Sequence, residues 1–505
     1  MMKAKPMQKV KTFLEKTPNA LLCVLGAVVF LAGFYFLTSR TPLNKIWLPT
    51  TMNNDEVLYN RQVVSVITHG GPQGYFGYQE GTADIGRYGT WGPLLIWAYA
   101  LPGFLFGSSV NVVLWCNLLF ITLGIAAFAR SAKLNWWQCI VLCAGLFAIA
   151  MPIRSCISGA SEAMHYMLAF LIVGSAAALH RTDKTGWLAV CAAACAVETI
   201  FRPYALLFWV FPLTAVWQNK RRRSACFVTA AAGFGVSLFA MAKLAAPYFS
   251  DGGMDFDGVQ LLLQGHPIAA IRYEWIRATA LLGNAWLYDI WPTIKSGKTY
   301  IGGGCVTFLV VVLAAVGCLL WDKRKGRPVV MKACALFCSA AIALVLLTMY
   351  NIDPRHMMLL AILLLGAIVV EDAAPAVVWL PILVVLLLPM NFERGSQPEM
   401  NEVMAAQMTV VEDALAADVQ AAGADPWDNT LAYTYDDGVF HGYLYAVPDG
   451  MGIEFDKNSY LWDAENPIYS RYVMCGHGTR VEERLLAENW QELVSTEDLV
   501  VYKRS

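Results

Sequence analysis

Residues 92–107 read GPLLIWAYALPGFLFG, and whether they cross a bilayer decides the orientation of everything after them. The run is apolar, but it is short and is broken by Pro93, Pro102, Gly103 and Gly107. Around it lie eleven runs of membrane-spanning character, at about 20–38, 109–129, 135–151, 161–179, 186–200, 203–217, 224–246, 301–321, 329–350, 357–371 and 375–391. Roughly 20 apolar residues cross a hydrocarbon core about 30 Å thick. Basic residues in short loops mark the cytoplasmic side. If 92–107 does not cross, that side receives the lysines of the N-terminus, Arg130/Lys133, Arg181/Lys184, Lys220 to Arg223, and Lys323/Arg324/Lys325/Arg327/Lys332. The short outer loops then hold only Arg154, Arg202 and Arg355. If it crosses, every later basic loop moves outside. The non-crossing reading is therefore expected, with 92–107 as an interfacial or re-entrant helix. Trp136, Trp137, Trp187, Trp217, Trp321 and Trp379 then fall at cytoplasmic ends, as an aromatic belt would.

The composition agrees. Of 505 residues, 57% are apolar and 15% charged, against about half and a quarter in soluble domains. A net charge of -1 excludes the basic excess of a nucleic-acid binder. The total is a cancellation, because residues 392–505 carry 21 acids and 7 bases and the rest of the chain is correspondingly basic. The expected architecture is a polytopic all-α membrane domain over 1–391, with outer loops 39–108 and 247–300, and an extracytoplasmic α/β domain over 392–505. The first span follows Lys3, Lys5, Lys9, Lys11 and Lys16, lacks a small-residue cleavage site, and reads as a retained anchor. In the C-terminal domain the pattern predicts a helix over 401–423 with Val403, Met404, Met408, Val411 and Leu415 on one face. It predicts strands at 430–435, 443–447, 492–495 and 499–503 and a helix at 482–489.

Thirteen cysteines and seven histidines show no zinc spacing. Cys139/Cys143, Cys191/Cys195 and Cys334/Cys338 lie inside apolar runs and behave as small hydrophobes. Asp251, Asp255 and Asp257 in SDGGMDFDG lack the glycine and distal glutamate of a calcium loop, so no metal ligand is assigned and no resident cofactor is expected, a divalent cation being the one candidate. The richest segment is TMNNDEVLYN (51–60), where Asp55 and Glu56 open a short helix of about 55–68. An acid in a first turn is usually a stabilising surface charge. Arg87, Arg154, Arg202 and Arg355 lie near outer span ends, where arginine either snorkels, pairs with an acid such as Asp353, or binds phosphate. His356 follows Arg355, and Trp275, Trp286, Tyr288 and Trp291 crowd the second outer loop.

This arrangement resembles the GT-C superfamily of membrane glycosyltransferases, in particular the protein mannosyltransferase and aminoarabinose transferase type. Asp55-Glu56 stands after the first span, as the family's acidic pair does. Tyr88-Gly89-Thr90-Trp91-Gly92-Pro93-Leu94-Leu95-Ile96-Trp97 is similar to its Tyr-Gly-Lys-Pro-Pro-Leu-x-x-Trp, without the lysine. Glu162 opens a later span where the family commonly has Asp, and an outer domain follows the last span. The resemblance implies transfer of a sugar from a polyprenyl-phosphate donor to a glycan, lipid or protein acceptor outside the cytoplasm, with inversion, in the plasma membrane. Asp55 would be the base, with Glu56 and Glu162 orienting it or the acceptor. Arg202, Arg355, Arg154 and Arg87 would hold the donor phosphate, and Tyr88, Trp91, His165 and His356 would contact substrate. Asp55, Glu162, Arg202 and Arg355 should then lie together. Alternatives are a polysaccharide polymerase or ligase, or a transporter of lipid-linked sugar, although no internal repeat is seen. A reporter active only outside the cytoplasm should be active when fused after Ser505 and silent after Lys220; the reverse pattern would invert the topology.

Overall fold

The structure is a computed structural model that describes residues 18–51, 54–73, 80, 92–147, 150–218, 223–245, 255–296, 304–370, 398–425, 428–434, 439–456 and 460–504. Its helices, in chain order, begin with α1 (Asn19–Ser39), α2 (Asn54–His69), α3 (Gly92–Gly103), α4 (Val112–Ala132), α5 (Trp136–Phe147), α6 (Ala150–Cys156), α7 (Glu162–Thr182) and α8 (Thr185–Phe201). A 3-10 segment (Pro203–Trp209) leads into α9 (Val210–Gln218), and then come α10 (Arg223–Ala240), α11 (Asp257–Leu263), α12 (Pro267–Ala285), α13 (Trp291–Ser296), α14 (Gly304–Arg324), α15 (Val330–Met349) and α16 (Pro354–Val370). Among the described residues, five helices are long and apolar enough to cross a membrane: Asn19–Leu37, Val112–Ala132, Glu162–Thr182, Gly304–Arg324 and Val330–Met349. Shorter apolar helices occupy five more of the expected spans, and 375–391 lies outside the described residues. Where a span was expected the chain opens on a 3-10 segment, with Pro203 at its first position, where the missing N–H costs nothing.

α4 and α7 form the centre. Gly124 lets them approach so closely that a Cβ there would lie 2.7 Å from the Met167 Cα, so the pair meets backbone to backbone as small-residue membrane interfaces do. α3 has 12 residues, about 18 Å at 1.5 Å per residue, well short of a 30 Å core. It lies against α2, with Gly103 against Ile67 and Val63.

The C-terminal part opens with α17 (Glu402–Ala421), capped by Asn401, whose side chain accepts from the N–H groups of Val403 and Met404. Met404, Met408, Val411 and Leu415 are buried as expected, while Val403 is exposed and falls off that stripe. The sheet comprises β1 (Thr430–Thr434), β2 (Gly452–Asp456), β3 (Tyr472–Cys475), β4 (Gln491–Ser495) and β5 (Val500–Lys503) in the order β2-β1-β3-β5-β4. β1 pairs in parallel with both β2 and β3, and β5 is antiparallel to β3 and β4. α18 (Arg480–Ala487) is capped by Thr479. The strand expected at 443–447 is instead a 3-10 turn, His441–Ala446. Its Gly442 packs onto the Pro49 carbonyl with no room for a side chain, and Tyr443, Leu444 and Ala446 are all buried rather than alternating. β2 and β3 were not anticipated. β2 buries Glu454 and Asp456 on the sheet face opposite Ile453 and Phe455, a pattern that reads as a solvated loop in sequence.

This domain grips the first loop. Trp47 donates to the Pro398 carbonyl at 2.7 Å, beside a bridge between Ile46 and Glu399. Arg61 of α2, nearly buried, donates to the Pro448 carbonyl at 2.6 Å, pairs with Asp449 at 3.0 Å and lies over the Tyr445 ring. Glu80 accepts from the N–H groups of Tyr469 and Ser470 at 2.7 and 2.9 Å. Burial drives the carboxyl of Glu454 up to about 9, helped by the neighbouring Asp456, so it is folded in its protonated form. Asp449 stays partly exposed and can rehydrate, so Arg61→Ala should cost about 1–3 kcal/mol, read as a lowered Tm of the detergent-solubilised protein.

Candidate functional site

The first turn of α2 carries Asp55 and Glu56 at its positive end. Consecutive helical residues point about 100° apart, so the two acids part company. Asp55 Oδ2 accepts from Arg355 Nη1 at 3.3 Å on the accessible side. Glu56 turns inward, is 4% exposed, and accepts from the Gly159 N–H at 3.2 Å while lying 3.9 Å from Arg154. Gly159 is required here: a Cβ would sit 2.9 Å from both the Cβ and the carbonyl oxygen of Glu56. Arg154 is supplied by the end of α6, and the loop after it by residues 157–161.

Behind this pair lies a second layer. Glu162, the first residue of α7, places Oε1 at 3.5 Å from Arg202 and 4.0 Å from Arg355; its Oε2 is buried without a hydrogen bond among the described residues. Arg202 ends α8 in extended conformation. Its Nη1 donates to the Tyr204 hydroxyl at 2.7 Å and meets His356 Nδ1 at 2.6 Å, and Tyr204 lies 2.8 Å from the same nitrogen. Arginine can only donate, so Nδ1 of His356 is the acceptor and its ring proton sits on Nε2. Arg355, in the first turn of α16, is aligned by Asp353, which bonds both its backbone N–H and its Nε. One turn into α7, His165 Nδ1 lies 2.9 Å from both oxygens of Glu198, which fixes the ring through that nitrogen.

Seven of the anticipated residues, Asp55, Glu56, Glu162, Arg154, Arg202, Arg355 and His356, thus form one connected network at one end of the bundle. It is built from the N-terminal ends of α2, α7 and α16 and the C-terminal ends of α6 and α8. His165 adjoins it through Glu198. Arg87, Tyr88 and Trp91 lie outside the described residues. Sequence reasoning assigned no role to Glu198, Tyr204 or Gly159. Glu198 carried a signal, an acid in the apolar run CAVETIF ahead of Arg202; Gly159 carried none, because its role is a close approach across the fold.

Accessibility sorts the network. Arg202 and Glu162 have 2% and 5% of their side chains exposed, whereas Asp55, Arg154 and Arg355 have 26%, 29% and 36%. The three exposed groups can meet a ligand, and the shielded pair holds them in place. Burial raises the Glu56 carboxyl to about 7, against the opposing pull of Arg154 and the Gly159 N–H. Among the described residues no group of three His, Cys, Asp or Glu is placed to hold a metal ion; Asp255 is engaged by Arg277 and by the Tyr273 hydroxyl.

No family model and no curated protein matches the chain. Solved structures similar to it include ArnT from Cupriavidus metallidurans in the apo state, with a TM-score of 0.43, and the same protein bound to undecaprenyl phosphate, with a TM-score of 0.42. Each is 13% identical and aligns over 95% of this chain and 97% of its own. A likeness of that depth carries no residue roles and no activity across.

A carboxyl raised by folding stabilises the protonated form, so the contribution of Glu56 is fullest below its ordinary range and is lost as pH rises toward 7. The Tm should fall between pH 5 and 8, and Glu56→Gln should flatten that slope. Gly159→Ala should destabilise by about 1–3 kcal/mol through overpacking, read as a Tm shift that Glu56→Gly does not abolish, because the carbonyl oxygen of residue 56 remains in the way.

Proposed function

We propose that the chain is a polytopic membrane glycosyltransferase that moves a sugar from a polyprenyl-phosphate donor to an extracytoplasmic acceptor, with inversion at the anomeric carbon. The observation that carries this reading is the pairing of an accessible carboxylate, Asp55, with an accessible arginine, Arg355, at one end of an apolar bundle, where a second accessible arginine, Arg154, lies against the neighbouring Glu56. Such a site offers a proton acceptor next to anion-binding donors, at the edge of the hydrocarbon where a lipid-borne phosphate resides. In this reading residues 1–391 are the catalytic membrane domain and 392–505 the outer domain, with the N-terminus cytoplasmic in the plasma membrane.

Asp55 takes the proton of the acceptor hydroxyl, whose oxygen attacks the anomeric carbon from the face opposite the phosphate. The bond from that carbon to the phosphate oxygen breaks, its electron pair stays on the phosphate, and the polyprenyl phosphate leaves as a dianion. Arg355 and Arg154 neutralise the developing charge. Arg202, shielded and bonded to Glu162, Tyr204 and His356, is a positioning residue that keeps Glu162 aligned with Arg355. The ion pair between Asp55 and Arg355 must loosen as the phosphate arrives, which frees the carboxylate when a donor is present.

With purified protein and a polyprenyl-phosphate sugar, Asp55→Asn should lower transfer by about 10²–10⁴-fold, and Arg355→Ala should lower it by about 10²–10³-fold. Unchanged transfer by Asp55→Asn would remove Asp55 as the base. Retention of anomeric configuration in the product would remove the single-displacement mechanism.

A further inference from the structure

Residues 257–296 are amphipathic in the inverted sense. Along α12, Ile268, Ile271, Trp275 and Leu282 are 83%, 70%, 70% and 50% exposed, and Trp286 continues the stripe beyond its end. At about 100° per residue these five fall within about 60° of arc. Tyr273, Glu274 and Arg277 point the other way. Arg277 is engaged with Asp255 and donates to the Tyr350 carbonyl at 2.5 Å. Asp255 also receives the Tyr273 hydroxyl at 2.6 Å, and one carboxyl oxygen of Glu274 is buried. The pattern repeats in the next turns: Asp289 is buried and accepts from the Cys305 N–H, Thr293 is buried, and Trp291 and Ile294 face outward.

A helix on an aqueous surface does the reverse, and an apolar stripe of this size in water marks something that covers it. Two observations identify the cover as lipid. The segment is fixed to the flanking membrane helices, by Asp289 at the start of α14 and by Arg277 at the Tyr350 carbonyl just after α15, and those helices themselves carry exposed apolar residues such as Leu313 and Leu344. The inward polar groups are bonded in part by the protein itself, Arg277 to Asp255 and the Tyr350 carbonyl and Asp289 to the Cys305 N–H, while Glu274 Oε2, Arg277 Nε, Asp289 Oδ1 and Thr293 Oγ1 are buried without a hydrogen bond among the described residues. Depth is set by the exposed cations Arg272 and Lys295. Their stems reach headgroup phosphates from the acyl boundary, which excludes the bilayer centre.

We propose that residues 257–296 form an interfacial hairpin embedded in the leaflet at the site's end of the bundle, with acyl chains packed on the Ile268, Ile271, Trp275, Leu282 and Trp286 stripe. The hairpin borders the candidate site, because Tyr350, which Arg277 holds, stacks edgewise on His356 with ring centres 5.2 Å apart. The proposal needs no assumption about catalysis.

The full chain, reconstituted in phosphatidylcholine vesicles, tests it. The difference in emission between the native chain and the Trp275→Phe, Trp286→Phe double variant reports those two indoles alone. When the lipid is replaced by acyl-brominated phosphatidylcholine, that difference should fall about twofold or more, as for indoles seated at the acyl boundary, while iodide leaves it unchanged. A difference emission insensitive to bromolipid overturns the proposal. Iodide quenching in that case would mark a water-facing stripe, and protection from both quenchers would mark a protein partner or a second copy. Glycosyl transfer does not enter the readout, so this outcome stands apart from that of the Asp55 assay.

Discussion

Glu162 shares one carboxylate oxygen between Arg202 and Arg355, and through that oxygen the ends of α7, α8 and α16 become a single structure. Three charged side chains at the end of an apolar bundle are costly to desolvate, and removing any one leaves the others buried and uncompensated. The neighbours show how the cost is met. Tyr204 and His356 take up donors of Arg202, Asp353 takes up donors of Arg355, and the start of α7 favours the acid at its first residue. The helices cannot slide relative to one another without breaking several of these bonds at once. That rigidity is what allows the more exposed Asp55, Arg154 and Arg355 to be presented in fixed register.

Much of this was legible beforehand, and for identifiable reasons. Long apolar runs announce membrane helices. An acid pair after the first span and arginines at span ends stand out because such residues are rare beside hydrocarbon. What sequence could not supply was pairing. Nothing local links Glu56 to Gly159, 103 residues apart, or Arg202 to His356, 154 residues apart. The strand β2 was missed because Glu454 and Asp456 look like solvated acids, yet the fold buries both. The turn at 441–446 was misread because a short aromatic run fits either a strand or a packed 3-10 segment.

The two halves of the charge distribution also meet in an informative way. The C-terminal domain is strongly acidic and the rest of the chain basic, but specific groups such as Arg61 and Glu80 make contact between them. Arg61 inserts beneath Tyr445 and between Pro448 and Asp449, while Glu80 answers from the opposite direction by accepting two backbone N–H groups. Among the described acids of the domain, Glu402, Glu412, Asp413, Glu483 and Glu488 are exposed, while Glu454 and Asp456 are buried.

Arg61 lies barely two turns beyond Asp55 on the same helix, and its partners follow 387 residues later. During synthesis α2 therefore emerges early but is not clasped until nearly the whole chain has been made and the last sheet has closed. The working geometry is thus withheld from incomplete chains. A truncated copy lacking the C-terminal sheet would keep its apolar helices but lose the clasp on Arg61 and Glu80.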